Sequence, residues 1–157
     1  MMEIENAKLL YSRTGDFLIP SERVAHVQIG NNLEHALLVL TKSGYTAIPV
    51  LDTKYKLHGL ISSPLILDAI MGIERIEFEK LESLKVEDVM KRDIPTLHGN
   101  DPIIKSLKLL INYPFLCAVD DEGFFEGILT RRVILKQLNA FLQPIYHNEM
   151  NHQSAPE

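Results

Sequence analysis

The chain is poor in several things that would give a function away. Among its 157 residues it has one cysteine, Cys117, and no tryptophan, and aromatic residues make up only 7%. A single cysteine excludes an internal disulfide and suits a reducing compartment. Basic residues are in deficit, with a formal net charge of −5, so general binding to nucleic acid or to an acidic membrane surface is not expected. No apolar run approaches the length of a membrane span. The start, MMEIENAKLL, lacks the basic region and long apolar stretch of a signal peptide. A soluble cytoplasmic protein is the expectation. The six histidines (His26, His35, His58, His98, His147 and His152) show no metal-ligand spacing, and there is no phosphate-binding G-x-x-x-x-G-K-S/T loop. Cys117 sits in an apolar run without a basic neighbour, which reads as core and not as a nucleophile.

The sequence does contain one pattern written twice. GNNLEHALLVLTKSG (30–44) has helical spacing, with Asn31 or Asn32 as its cap and Gly44 as its stop. YTAIPVLD (45–52) and LHGLIS (57–62) read as strands around the polar turn TKYK. SPLILDAIMG (63–72) then closes the unit as a short helix with Pro64 in its first turn. The second half repeats the order. NDPIIKSLKLLIN (100–112) reads as a helix capped by Asp101, LCAVD (116–120) and FFEGILT (124–130) as a hairpin, and RRVILKQLNAFL (131–142) as a closing helix that stops before Pro144. Asp52 and Asp120, like Gly59 and Gly127, are 68 residues apart, whereas Leu33 and Ile103 are 70 apart. The second copy is therefore two residues shorter between its first helix and its hairpin. The fold class read from this order is α/β (α+β), two βαββα units packed as a pseudo-twofold module.

These motifs resemble the cystathionine-β-synthase (CBS) domain. Pro49-Val50-Leu51-Asp52 and Gly59 to Ser62 carry the likeness in the first copy. Val86 to Met90 and Gly127-Ile128-Leu129-Thr130 carry it in the second, where Cys117 stands in place of the usual proline. The resemblance implies CBS domain 1 over 16–72, a linker over 73–85 and CBS domain 2 over 86–143. Residues 1–15 and 144–157 remain as terminal extensions, the latter polar and mobile. It also implies a ligand-sensing cleft between the copies and assembly into a homodimer.

In nucleotide-binding members the second strand commonly ends T/S-x-x-D, its aspartate holding a ribose diol. Here that position is Leu65 in one copy and Val133 in the other, and neither can accept a hydrogen bond. Thr130 is a good helix cap, so Arg131 and Arg132 fall in the first helical turn, where free N–H groups and the helix dipole already favour an anion. Two guanidinium groups there suit phosphate, through bidentate charge-assisted bonds. The matching Ser62-Ser63-Pro64 has no cation, so one strong site per chain is expected. The opposite wall would come from Arg23, Ala25 and Val27 in SERVAHVQI, with Tyr45 placed to stack on a base and Thr46 and Ala47 offered to its edge. Unaided, the residues point to an anionic, adenine-type ligand.

The longer runs HVQIGNNLEHALLVLTKSGYTAIPVLD, GIERIEFEKLE and GILTRRVILKQL are similar to the small stand-alone CBS proteins of the CbpB/DarB type. That likeness implies cyclic di-AMP as the ligand, with no cofactor, metal or catalytic residue. It implies a (p)ppGpp synthetase/hydrolase of the stringent response as partner, pyruvate carboxylase as another, and no nucleic-acid or membrane partner. A sensor of AMP, ADP or ATP, a nucleotide-cleaving enzyme and a pure interaction module are the competing readings.

Overall fold

The computed structural model describes Leu9 and residues 11–154. Its elements follow the repeat. In the first copy they are β2 (Val27–Gln28), α1 (Leu33–Ser43), β3 (Ala47–Leu51), β4 (Leu57–Ser62) and α2 (Ser63–Ile70). In the second they are β5 (Thr96–Leu97), α5 (Ile103–Leu110), β6 (Phe115–Val119), β7 (Phe125–Thr130) and α6 (Arg131–Gln153). A short strand, β1 (Ile19–Pro20), precedes the first copy, and two single-turn helices, α3 (Lys80–Ser83) and α4 (Val86–Val89), join the copies. β2 lies parallel to β3 and β5 parallel to β6, while each hairpin is antiparallel.

The hairpins keep their register through the same device. Asp52 accepts the Lys54 and Lys56 amides (2.8 and 3.0 Å), and Asp120 accepts those of Glu122 and Phe124 (both 2.9 Å). A side-chain carboxylate closing its own turn is why aspartate follows each apolar strand. The left-handed residue of the turn is Gly123 (φ 89°) in the second copy and Tyr55 (φ 71°) in the first.

Each copy completes its partner's sheet. β1 pairs with β7 and not with its own copy, giving the sheet order β1-β7-β6-β5 beside β2-β3-β4. In return Lys91 bridges to Leu60 on β4, exchanging two backbone bonds of 2.9 and 2.8 Å. The segment before each copy forms a strap laid on the other. Ile103 N–H donates to Ser12 C=O (2.9 Å) and Thr14 N–H to Asp101 C=O (2.8 Å). Their counterparts are Leu33 N–H to Leu84 C=O (3.0 Å) and Val86 N–H to Asn31 C=O (2.8 Å). Gly59 and Gly127 permit this approach. A Cβ at Gly59 would lie 2.4 Å from Lys91 O, and one at Gly127 would lie 2.2 Å from Ile19 O.

Three apolar clusters match the plan. One fills the first copy around Leu33, Leu40, Ile48, Ile61 and Ile66, and includes Val86 and Met90 from the connector. A second, around Leu97, Leu110, Leu116 and Leu129, fills the second copy. A third joins them through Val24, Leu51, Cys117, Phe125 and Ile128.

Three local readings are corrected. Asn32 does cap α1, its side chain accepting from His35 N–H at 2.9 Å. Asp101, however, does not cap α5. Its carboxylate accepts His98 N–H (2.9 Å), and the first amide of α5 is taken instead by the strap carbonyl of Ser12. A tertiary partner has displaced the local one. The closing helix also does not stop before Pro144, because α6 runs to Gln153 with that proline inside it. The proline forfeits one backbone bond, but no glycine or second proline follows before Gln153 to end the helix. The expected mobile tail is therefore helical through Gln153, and residues 155–157 lie outside the described residues.

Candidate functional site

A cleft of about 580 Å³ opens where the start of β3 faces the start of α6. That volume lies within the range of small-molecule sites. Its walls come from both copies: Tyr45, Thr46 and Ala47 on one side, and Pro114, Phe115, Ile128 and Thr130 to Val133 on the other, with Ile19 of the exchanged strand and Lys136 completing it. Among the described residues no carboxylate lines it. The lining holds three cations, Arg131, Arg132 and Lys136, above an apolar floor.

The backbone aims the first turn of α6 at this space. Thr130 Oγ1 accepts Val133 N–H (3.2 Å), and Arg131 N–H donates to Pro114 C=O (2.9 Å). Neither bond takes the amide of Arg132, which stays available to an anion at the helix N-terminus. The same scaffold recurs in the first copy, where Ser62 Oγ accepts Leu65 N–H (3.3 Å) and Ser63 N–H donates to Thr46 C=O (3.0 Å). The frame is shared and the side chains differ. At the 68-residue offset, Arg131, Arg132 and Lys136 correspond to Ser63, Pro64 and Asp68.

The two arginines divide their work. The Arg131 guanidinium donates to the carbonyls of Leu110 (Nε, 2.9 Å) and Ile111 (Nη2, 3.3 Å), so much of its fork ties down the C-terminal turn of α5. Arg132 is exposed, and its guanidinium has no hydrogen bond or ion pair among the described residues. Both arginines are expected to serve phosphate, and the structure places both in the cleft lining with one anchored to carbonyls and the other without a partner among the described residues. Lys136 was not singled out in the sequence, although it follows Arg132 by four residues and so shares its helix face.

The opposite wall is only partly as expected. Tyr45 is 42% exposed at the cleft rim, beside Thr46 and Ala47. Ala25 lines a smaller hollow that shares Tyr45, Ala47, Phe115 and Ile128 with the cleft. The Val27 side chain is buried in the core of the first copy, since β2 pairs Val27 with Val50, so it offers no side-chain surface to the cleft. Arg23 ends a 3-10 turn (Ser21–Arg23) and is exposed, but it is not among the lining residues. Val133 does line the cleft, at the position where a ribose-binding carboxylate would stand.

The Thr130 hydroxyl is occupied as a helix cap, and no cluster of metal-binding side chains occurs among the described residues. Cys117 lies at the join between the copies, where burial pushes its thiol up to about 12. His58 binds Asp52 (2.9 Å) and His98 binds Asp121 (2.9 Å), away from the cleft. No helix among the described residues is long and apolar enough to cross a membrane.

Two tandem units exchange straps and share a cationic cleft at their junction. The family model for the CBS domain matches residues 15–72 and 86–140. The chain belongs to the CBS-domain family, and within it to the proteins of the CbpB/DarB type. It is 57% identical over 145 residues to cyclic di-AMP receptor B of Bacillus subtilis, covering 92% of this chain and 99% of the relative. The crystal structure of Listeria monocytogenes CbpB in complex with c-di-AMP is 58% identical, with a TM-score of 0.78 over 82% of this chain and 96% of that one. A CBS domain-containing protein of Bacillus anthracis is 62% identical, with a TM-score of 0.81 over 86% and 98% of the two chains.

Proposed function

We propose that this protein is a non-catalytic receptor for cyclic di-AMP that binds one ligand per chain in the cleft between its CBS repeats. The observation that carries the reading is the unpartnered Arg132 facing the cleft together with Lys136, across from an exposed Tyr45. Cations on one wall and an aromatic face on the other suit a ligand with phosphate and a flat base. Val133 offers nothing to a free ribose diol, and a cyclic dinucleotide has its 3′ oxygens tied up in the ring. The relatives named above, a cyclic di-AMP receptor and a CbpB bound to c-di-AMP, support the same ligand.

Of the residues assigned to the ligand from sequence, Arg132, Tyr45, Thr46 and Ala47 are retained as direct contacts. Arg131 is assigned mainly to holding α5, Ala25 contributes backbone at the rim, and Arg23 closes the outer edge. Val27 contributes no side chain. The repeats 16–72 and 86–143 work as one cytoplasmic module that forms a homodimer. Ligand occupancy then controls a target protein, for which a (p)ppGpp synthetase/hydrolase and pyruvate carboxylase are the candidates. Calorimetry with cyclic di-AMP, cyclic di-GMP, AMP and ATP tests the ligand. Saturable binding with preference for cyclic di-AMP is expected, whereas equal or tighter binding of AMP or ATP would favour a general adenine-nucleotide sensor.

A further inference from the structure

The connector between the repeats displays apolar side chains that the fold does not use. Leu67 on α2, Met71 at its end, and then Ile73, Ile76 and Phe78 are all exposed, Ile73 completely and Phe78 by 64%. The second repeat has no counterpart, because α6 runs on as helix through the matching positions. The loop that carries Ile73 is nonetheless well held. Met71 and Ile76 form an antiparallel bridge across it. Gly72 N–H donates to Arg75 C=O (2.9 Å), and Glu77 N–H donates to Ile70 C=O (2.6 Å). Arg75 pairs with Glu79, and Lys80 pairs with Glu77 (2.6 Å). A Cβ at Gly72 would lie 2.8 Å from Arg75 O, so glycine lets the turn close. The loop borders a hollow of about 500 Å³, to which Met71, Ile73, Glu74 and Arg75 contribute. Apolar side chains exposed in sequence on an ordered loop mark an interaction site, since little freedom is left to lose on binding.

We infer that this loop is a docking surface for a partner protein, and that the segment it takes is apolar on one face and basic on the other. Charge selects the occupant. From Asp68 to Asp88 the chain has seven carboxylates (Asp68, Glu74, Glu77, Glu79, Glu82, Glu87 and Asp88) against three cations (Arg75, Lys80 and Lys85), a balance of −4. Two of those cations are spent on Glu79 and Glu77 inside the loop. Exposed Asp68, Glu74 and Glu82 have no ion pair among the described residues, so they are left to face a partner. A second copy would set −4 against −4 at this patch, and the whole chain is itself acidic at −5. Like charges brought together oppose association, whereas a basic segment is both drawn in and oriented. Ile73 and Phe78 serve as the apolar anchors and the carboxylates as the rim. The surface is separate from the cleft. Ser63, at the first turn of α2, is bonded to cleft residue Thr46, and the eight residues of α2 carry the chain about 12 Å along the helix before the loop begins.

The test uses the full chain and a fluorescent helical peptide of about 18 residues, with leucine on one face and lysine on the other. Two control peptides carry glutamate in place of lysine, or serine in place of leucine. Fluorescence anisotropy should show saturable binding of the leucine/lysine peptide, at least tenfold tighter than either control. Ile73→Asp/Phe78→Asp should weaken that binding at least tenfold, and Glu74→Lys/Glu82→Lys at least threefold, with circular dichroism and cyclic di-AMP titration unchanged. A control peptide that binds as tightly, or an Ile73→Asp/Phe78→Asp chain that holds the leucine/lysine peptide as well as the wild type does, overturns the docking surface. So does sedimentation in which Ile73→Asp/Phe78→Asp alone dissociates a self-associated wild type, since the occupant would then be a second copy. A wild type that holds the peptide as expected but does not bind cyclic di-AMP overturns the receptor reading and leaves the docking surface standing.

Discussion

The two CBS repeats share a backbone plan and differ in what they present at the cleft. Each has a carboxylate-closed hairpin, a hydroxyl-capped closing helix and a glycine that admits the other's strap. Where the second copy carries Arg131, Arg132 and Lys136, the first carries Ser63, Pro64 and Asp68. Symmetry has been kept where the copies hold one another and abandoned where a ligand would be held. A pseudo-twofold frame thus gives a one-sided cleft, because a helix N-terminus attracts an anion weakly until side chains add charge to it.

The shared part of the frame should be the most sensitive to change. Gly127→Ala and Gly59→Ala each force a backbone carbonyl aside and should each destabilise the protein by about 2–4 kcal/mol in urea unfolding. Gly30→Ala, with nothing within 4 Å of its new Cβ, should stay within about 1 kcal/mol. A marked inequality between Gly59 and Gly127 would show that the two straps do not contribute alike.

The differing part should govern affinity. Arg132→Ala is expected to lose about 1.5–3 kcal/mol of cyclic di-AMP binding, roughly ten- to a hundredfold by calorimetry, with little change in stability. Arg131→Ala should reverse the balance, lowering the melting temperature more than the affinity, because its guanidinium holds the end of α5. Lys136→Asp, which copies the first repeat, should weaken binding by about three- to tenfold, and less so as salt is raised. An effect of Lys136→Asp that does not respond to salt would count against a charge contribution.

The smallest difference is an acid one. Asp52 is held down to about 2 chiefly by its bond to His58, aided by the Lys56 and Lys54 amides. Its folded pKa lies below the ordinary aspartate value of 3.8, so its stabilisation is present above about pH 4 and is lost as pH falls toward 2. His58→Gln should flatten that slope in acid unfolding without affecting ligand binding.

Much of this frame was legible in the sequence because its signals are local. Apolar periodicity, Asn32 as a cap, aspartate turns and the 68-residue offset all act within a few residues of one another. What was not legible depends on partners distant in the chain. Asp101 was read as a cap because only the fold brings Ser12 to α5. Arg131 was paired with Arg132 because the carbonyls it holds lie twenty and twenty-one residues away. Lys136 was missed for a simpler reason, since a lone lysine in an amphipathic helix reads as solvated until the cleft is seen beneath it. Val27 shows the reverse case: its strand pairing with Val50 puts the side chain of a position expected at the cleft edge into the core.

The exchanged straps bear on how such a molecule can be divided or built. A solitary repeat would leave the edge opposite Gly59 or Gly127 unpaired, and it could satisfy those groups only by trading straps with another solitary repeat. The present chain has the geometry of that traded pair with its two members joined end to end. Joining replaces an encounter in solution by a tethered one at high effective concentration. It also frees each half to mutate independently, so that one half can keep a bare helix end while the other acquires charge.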